Sequence, residues 1–599
     1  MASDSFSART RLAADLVARA RRGVVRRLHQ SGLCRWRYSG APIEQLVLVP
    51  PDLRTADPSF ASEIYHGHFG LAGAVGRTGT RSPFLIFPPT PDWAVELHGF
   101  GWMRHLRAAG DKISHEHARV LVRDWIDIYG AIGGLAWRPD VVARRVISWL
   151  CHLPIILEGA GQETYDEVME SLSRQVRYLC ASLADMGPGA ARLRALIALL
   201  LTRLCTDEQS LDAGALTRAF AHEAGAQILS DGGHVSRNPA VLIELLLDLL
   251  PLRQCFIVRD QPPPEALVQV IERMMPMLRF FRLGDGALAR FNGAGPTAID
   301  EVVNVLAHDD TKGAPLTHAA PSGYCRLVQG KTVLIADVGP PPPLAHSRRA
   351  HAGCLSFELS SGAHPVIVNC GALNHIKKEW RLVVRTTAAH STLSLANASS
   401  SRFVAFPWLG EAAADARLTG PGRVSARTRA KDGVLDLEAA HDGYARRFGL
   451  IHTRSLRLMN GGARLEGADL LTPVPARREA GGAAGEVGYA LRFHLHPSIR
   501  AELASDGQSA LLVLPNREGW RLATRTGKLS VEESVYLATM SGRNRTQQVV
   551  LTGACDPAAG AKLMWRLEQG ARAKARARTG GAAEPKPEAA RELPLEENR

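Results

Sequence analysis

The sequence has no CxxC pair and no uninterrupted apolar segment long enough to cross a membrane. Its longest apolar stretch, residues 191–205, is interrupted by arginines and is typical of a buried helix. The first 30 residues lack the continuous apolar core and the cleavage site of a secretory signal. The nine cysteines lie mostly within apolar patterns, which favours reduced, buried thiols and a cytoplasmic location.

Positive charge is in excess, with a formal net charge of +13, which suits nucleic acid, an anionic membrane or a polyanionic polymer as a partner. No RNP, zinc-finger or helix-turn-helix pattern accompanies this charge, so nucleic acid is not expected. Within residues 1–40, arginines alternate with leucines and valines at helical spacing. This pattern predicts a basic amphipathic segment, whose residues 1–30 could contact the inner membrane surface or pack on the protein body.

The periodicity of the chain changes near residue 315. Residues 41–315 repeat helical patterns joined by short Gly-, Pro- and Asp-rich connections, and one helix is predicted to begin at a Ser114 cap. Such consecutive helices pair antiparallel and predict an α/α toroid or solenoid. Residues 316–569 carry short alternating strands, which predict an antiparallel β-sandwich. Residues 570–599 have almost no large apolar side chains and are expected to be disordered.

Seven phrases carry a resemblance to a known family. They are WAVELHGFGWMRHLRAAG (93–110), DGGHVSRNP (231–239), RLGDGALARFNGAG (282–295), SGYCRLVQGKTVLIADVG (322–339), HAGCLSFELSSGAHPVIVNCG (351–371), TTAAHSTLSL (386–395) and HDGYARRFGLIHTRSLRL (441–458). Their succession resembles the heparinase II/III family of polysaccharide lyases from about residue 60 to 560. The resemblance implies an incomplete α/α toroid joined to a β-sandwich, with the substrate cleft between them.

The resemblance also implies cleavage of a uronate-containing polysaccharide by β-elimination. This reaction removes the proton next to the uronate carboxylate and expels the glycosidic oxygen. Hydrogen bonds must neutralise the carboxylate, because a carbanion beside a full negative charge is prohibitive. A base then takes the proton and an acid protonates the leaving oxygen, each contributing about 10²–10⁴-fold. The family uses asparagine or glutamine for the first role, and tyrosine and histidine for the others.

His234, Asn238, His351 and Tyr444 are the candidate catalytic residues. His234 and Asn238 lie in a turn before an apolar helix, where one of them would neutralise the carboxylate. Asn238, followed by Pro239, also fits a helix N-cap. His351 corresponds to a family histidine at the start of a strand that faces the cleft, and its ordinary pKa near neutrality suits a base.

The tyrosine that the family carries in its helical domain is missing from the corresponding stretches here. Tyr65, Tyr324 and Tyr444 remain as alternatives, and Tyr444, paired with His441, is the one chosen. His441 and Arg237 are predicted to bind substrate, Arg237 by its charge.

His351, Asn369 and His390 form a candidate site for a structural zinc or another divalent metal. His390 matches a family histidine that often binds zinc, whereas Asn369 stands where an aspartate is common. A neutral amide oxygen is a poorer zinc ligand than a carboxylate. Two further histidines, His494 and His496, alternate along a strand and are expected on its exposed face.

The leading hypothesis is a cytoplasmic carbon–oxygen lyase that acts on an anionic polysaccharide or oligosaccharide. The alternative, favoured by the missing tyrosine, is a non-catalytic saccharide-binding scaffold in surface-polysaccharide metabolism. In a third possibility, the basic N-terminal helix docks the protein at the inner membrane.

Overall fold

A computed structural model describes the chain over residues 17, 20–25, 28–31, 38, 40–311, 314–373, 378–405, 416–474, 485–539 and 542–570. The predicted amphipathic segment lies largely outside these residues, and the predicted tail lies outside them except for Gly570. Among the described residues, no helix is both long enough and apolar enough to cross a membrane.

The first half of the chain is helical, with one short hairpin. Its helices are α1 Ser59–Tyr65, α2 Pro91–Gly99, α3 Met103–Ala109, α4 Lys112–Tyr129, α5 Pro139–Leu157, α6 Gln162–Ser182, α7 Ala190–Cys205, α8 Ala213–Gln227, α9 Ala240–Val258, α10 Glu265–Phe281 and α11 Ile299–Leu306. The hairpin pairs β1 His68–Leu71 with β2 Ala74–Arg77.

Two layers of helices build this half. Helices α5, α7 and α9 pack side by side, and α4, α6, α8 and α10 pack against them. Helix α9 buries apolar side chains on nearly all sides, as an inner helix must. The start of α4 differs from the sequence prediction, because Asp111 is the N-cap and accepts a hydrogen bond from the backbone N–H of Ser114 at 2.8 Å.

The second half is built almost entirely of antiparallel strands. They are β3 His318–Ala319, β4 Tyr324–Gln329, β5 Thr332–Asp337, β6 Phe357–Ser361, β7 His364–Val368, β8 Leu393–Leu395, β9 Arg402–Val404, β10 Arg417–Thr419, β11 Val424–Lys431, β12 Val434–His441, β13 Leu450–Met459, β14 Arg464–Pro473, β15 Val487–Leu495, β16 Arg500–Leu503, β17 Ser509–Val513, β18 Gly519–Thr524, β19 Lys528–Thr539, β20 Gly542–Cys555 and β21 Ala561–Gln569. Two short helices, α12 Lys378–Val383 and α13 Ala445–Phe448, interrupt them.

Two large sheets face each other across the sandwich core. The nine-stranded sheet has the order β19-β20-β15-β7-β6-β5-β4-β3, with β8 also paired to β15. The eight-stranded sheet has the order β11-β12-β13-β14-β21-β18-β17-β16, and β9 pairs with β10 separately. The structure therefore confirms the predicted fold, an α/α toroid followed by an antiparallel β-sandwich.

The nine-stranded sheet is covered on both faces near its β3 end. Along β5, Leu334 belongs to the core between the two sheets, whereas Val333 and Ile335 belong to the core of the helical half. Successive side chains of a strand point to opposite faces, so the odd-numbered residues of β5 define a helix-facing surface of this sheet. The candidate site lies on that surface.

A buried arginine joins the two halves. Arg237 lies in the turn before α9 and donates all five of its guanidinium N–H groups. Nε donates to the carbonyl of Ser322 at 2.7 Å, and Nη1 donates to the carbonyls of Gly339 and Pro340. Nη2 donates to the carbonyl of Gly323 and, at 2.6 Å, to Oδ1 of Asp337. Its guanidinium carbon also lies 4.7 Å from the centroid of the Tyr324 ring. Every acceptor belongs to the sandwich, so this side chain fixes the turn before α9 against it.

We expect Arg237→Met to lower the free energy of unfolding by about 3–5 kcal/mol, because it leaves the Asp337 carboxylate buried without its partner. The exposed pair between Arg427 and Glu438 provides the matched control, and Arg427→Met should cost about 0–1 kcal/mol. Urea denaturation of the three proteins measures both values. Equal losses in the two variants would contradict a structural role for the buried arginine.

Candidate active site at the junction of the two halves

Two histidine rings meet edge to face where the sandwich meets the helical half. His351 follows the 3-10 turn Leu344–Arg349, and His390 follows the 3-10 turn Thr387–Ala389. Nδ1 of His351 lies 3.1 Å from Nε2 of His390, and the ring planes are 83° apart. The two side chains are nearly fully buried, with 6% and 1% exposure.

The hydrogen bonds assign the tautomers of both rings. Nδ1 of His390 lies 2.7 Å from the carbonyl oxygen of Thr386, so it must carry the proton and donate. Nε2 of the neutral His390 ring then has only a lone pair, and it accepts the hydrogen bond from His351 Nδ1–H. His351 is left with an unprotonated Nε2, which has no hydrogen-bond partner among the described residues. A nitrogen with a held orientation and an unused lone pair can accept a proton.

Both imidazoles are neutral at neutral pH. Burial, together with the positive charges of Arg385 and Arg349 and the neighbouring His390, lowers the pKa of His351 well below its ordinary value. Burial also lowers the pKa of His390 to about 4. His351 is therefore in its basic form at pH 7.

Buried side chains hold the segments that carry the two histidines. Arg385 donates from Nε to the carbonyl of Ala350 at 2.9 Å, next to His351. Arg454, from the opposite sheet, donates from Nη1 to the carbonyls of Leu355 and Ser391, one in each histidine segment. Asp469 anchors Arg454 by accepting from its Nε at 2.8 Å.

A glycine makes room for the His390 ring. A Cβ atom at Gly353 would lie 2.7 Å from Cδ2 of His390, closer than real Cβ contacts allow. The glycine two residues after His351 thus lets the two histidine segments approach each other.

The polar turn before α9 reaches the same region through a hydrogen-bonded chain. The backbone N–H of His351 donates to Oδ1 of Asn292 at 3.3 Å, and Nδ2 of Asn292 donates to the hydroxyl of Tyr324. That hydroxyl donates to the carbonyl of Arg237, the residue before Asn238. His351 is therefore tied to the turn that contains Asn238.

Asn238 has the capping role that the sequence allowed. Its Oδ1 accepts from the backbone N–H of Ala240 at 2.9 Å, at the first residue of α9. Its Nδ2 donates no hydrogen bond within the described part of the chain. The two N–H donors of the Nδ2 amide therefore stay available to a ligand.

His234 is held by its own neighbours. Its Nε2 donates to Oε1 of Gln227 at 3.0 Å, and its Nδ1 accepts from the backbone N–H and the hydroxyl of Ser236. Burial lowers the pKa of His234 to about 3. Because both nitrogens are engaged, this residue stabilises the turn rather than presenting a group to a ligand.

The geometry contradicts the predicted contact of Arg237 with substrate. All five of its N–H donors are used inside the protein, so none is left to bind a uronate.

Tyr444 and His441 lie inside the sandwich instead of facing the junction. The Tyr444 side chain is 1% exposed, its hydroxyl donates to the carbonyl of Leu393 at 2.8 Å, and burial raises its pKa. His441 is 2% exposed and lies 3.3 Å from His452, whose Nε2 in turn donates to Asp469. In these positions neither residue can reach a ligand, which contradicts the roles predicted for them.

The three predicted metal ligands are poorly arranged to coordinate an ion. The His351 and His390 nitrogens that face each other share a hydrogen bond, and Oδ1 of Asn369 accepts from the backbone N–H of Ser391 at 3.0 Å. No group of three or more His, Cys, Asp or Glu residues suited to a metal occurs in the part of the chain that the structure describes. The metal stays a prediction, and no step below depends on it.

Several residues of this site were not among the sequence candidates. Asn292 and Arg454 act through partners more than 50 residues away in sequence, which no local pattern reveals. Arg349 is exposed and close enough for its charge to act on His351. Arg349 follows Arg348 and lies two residues before His351. This basic pair was the feature of the sequence that could have indicated a positive charge beside His351.

Comparisons with known proteins agree with this architecture. Residues 311–572 match the family model described as Heparinase II/III-like, C-terminal. The FtsZ-localized protein C of Caulobacter vibrioides is 32% identical over 536 residues, covering 88% of this chain and 90% of that protein.

Two solved structures share the fold across nearly the whole chain. A crystal structure of heparinase III superposes with a TM-score of 0.66 at 12% identity, covering 90% of this chain and 88% of that chain. A mutant heparan sulfate lyase from Pedobacter heparinus gives a TM-score of 0.57 at 14% identity, covering 93% and 88%. From the full-length relative, the family model and the shared fold, we conclude that this chain belongs to the heparinase II/III family.

Proposed function

We propose that this chain binds a uronate-containing polysaccharide or oligosaccharide at the domain junction and cleaves it by β-elimination. The hydrogen-bonded pair of His351 and His390, which leaves Nε2 of His351 without a partner among the described residues, is the observation that carries this proposal. His390 fixes the tautomer of His351, as a positioned base requires.

The proposed reaction uses His351 twice. Its Nε2 takes the proton from the carbon next to the uronate carboxylate. The electron pair forms a carbon–carbon double bond while the bond to the glycosidic oxygen breaks. The His351 imidazolium then returns its proton to that oxygen, so no tyrosine is needed and the ring ends in its starting form.

Charge around His351 suits an anionic substrate. A carboxylate bound beside Arg349 would offset the positive charges that disfavour an imidazolium at His351. The Nδ2 amide of Asn238 is the donor that we assign to the carboxylate, because its Oδ1 is already committed to the helix cap.

A saccharide-binding scaffold without catalysis remains the second candidate. The burial of Tyr444 favours it, because this removes the tyrosine chosen from the sequence as the separate acid. Product formation distinguishes the two candidates.

The purified protein should produce 4,5-unsaturated uronate ends, seen as ultraviolet absorbance, on at least one of heparan sulfate, alginate, hyaluronan or the capsular polymer of its host. His351→Ala should lower this rate by about 10²–10⁴-fold, because it removes the base. The exposed His308 provides the control, and His308→Ala should keep the rate. Saccharide binding without absorbance on any polymer would favour the scaffold instead.

The pH profile should also differ from that of an ordinary histidine base. Since the pKa of His351 is lowered, its basic form persists below pH 6.5, and the rate should hold as the pH falls towards about 4, where the lowered pKa of His390 lies. Initial rates between pH 4 and 8 at substrate concentrations well below KM, which report the ionisation of the free protein, measure this, with circular dichroism at each pH as the control for folding. A rate that halves near pH 6.5 in the folded protein would contradict the proposed state of His351.

We infer a cellular setting from the full-length relative. The name of that relative places it with FtsZ, and its 32% identity covers 88% of this chain. We therefore propose that this chain also localises with FtsZ. The cytoplasmic location stays a prediction within this proposal.

A fluorescent fusion of the full chain should coincide with labelled FtsZ in dividing cells of its host. A second fusion lacking residues 1–30 tests whether the rest of the chain is sufficient for this pattern. We expect it to keep the pattern, because the similarity to the relative extends over 88% of the chain. Diffuse or uniformly peripheral fluorescence of the full-length fusion, at normal expression, would contradict the proposal.

A further inference from the structure

A cavity opens on the helix-facing surface of the nine-stranded sheet, apart from the histidine pair. It has a volume of about 270 Å³ and lies where β15, β20 and β19 run side by side. Its lining includes Asn397, Gly488, Ala490, Arg492, Glu532 and Thr552. We call it the sheet pocket.

Strand register places the sheet pocket on the same surface as the candidate active site. Ile335 of β5 is paired with Glu358 of β6, so both belong to the helix-facing surface. Leu359 and Ile367, the next pair, belong to the sandwich core, so Val368 points back to the helix-facing side. Val368 is paired with His494, and alternation along β15 then puts Arg492, Ala490 and Gly488 on that side too.

The active-site segment continues directly into the pocket. Strand β8 begins three residues after His390. The backbone N–H of Arg492 donates to the carbonyl of Thr392 at 3.1 Å, and its Nη1 donates to the hydroxyl of Ser394 at 2.7 Å. At about 3.3 Å per residue, Asn397 lies within roughly 23 Å of His390, so one polymer chain can span both places.

The pocket chemistry suits an uncharged sugar residue. Arg492 offers hydrogen-bond donors, Glu532 offers acceptors, and Asn397 offers both. The Thr552 hydroxyl donates to the carbonyl of Lys528 at 3.5 Å, so it offers a ligand its lone pairs. Glu532 is close enough for its negative charge to act on Arg492, so the two charges offset each other. Gly488 and Ala490 leave a flat apolar floor. The volume lies just below the range typical of drug-sized ligands, about 300–1,000 Å³, which leaves room for a single sugar ring.

We propose that the sheet pocket is a subsite for an uncharged sugar residue of the polymer whose uronate lies at His351. This inference rests on the proposed function for the identity of the polymer, but binding in the pocket does not require cleavage. The pocket would hold the chain in register while the uronate is presented to the histidine pair.

Gly488→Phe tests the pocket by filling it. The nearest atom to a Cβ at Gly488 is the carbonyl oxygen of Gly553 at 3.9 Å, an ordinary contact, so the strand can accept the new side chain. Leu511→Phe is the matched control, because Leu511 is 41% exposed on a strand of the other sheet. Saturation-transfer NMR and calorimetry with glucose, N-acetylglucosamine and glucuronic acid would measure binding to the full chain.

At least one of the two uncharged sugars should bind the unchanged protein and Leu511→Phe alike, and should bind Gly488→Phe at least about tenfold more weakly. Glu532→Gln should shift the preference towards glucuronic acid, because Arg492 then lacks its counter-charge. His351→Ala should keep sugar binding, which separates this inference from the lyase proposal. No binding of either uncharged sugar, or equal affinity in Gly488→Phe, would overturn the subsite.

Discussion

The arrangement of the junction depends on the buried guanidinium of Arg237. A buried charge is costly unless it is paired and hydrogen-bonded, and here five sandwich acceptors and the Tyr324 ring surround one side chain from the helical half. The same residue accepts through its carbonyl from Tyr324, which leads through Asn292 to the backbone of His351. The contact that joins the halves therefore also sets the position of the histidine relative to the turn before α9.

Local patterns were sufficient for the architecture but not for its details. The change from helical to alternating periodicity near residue 315 predicted a toroid followed by a sandwich, because burial of one face imposes these periods on the sequence. The start of α4 was misplaced by three residues, since both Asp111 and Ser114 are good caps. His494 was expected to be exposed, yet it is 3% exposed, because the segment before β8 and Ser534 cover it. That cover comes from residues distant in sequence.

The candidate site was predictable only in part, because the contacts that decide the role of a side chain come from residues distant in sequence. Family phrases brought His351 and His390 to attention, and the structure places their rings together. Arg237 was assigned to substrate because its acceptors, about 85–100 residues further along the chain, cannot be read from the turn itself. Tyr444 was chosen by elimination, and it is buried against β8, where the carbonyl of Leu393 accepts from its hydroxyl. A residue type can suggest a role, but its partners decide whether the group is available.

The proton positions on the two histidines decide the central claim. Nitrogen-15 chemical shifts of the imidazoles at pH 7, assigned with His351→Gln and His390→Gln, would report them directly. The account predicts that both rings are neutral and carry their proton on Nδ1, with an unprotonated Nε2 on His351. A His351 ring that is protonated on Nε2, or charged at pH 7, would contradict it.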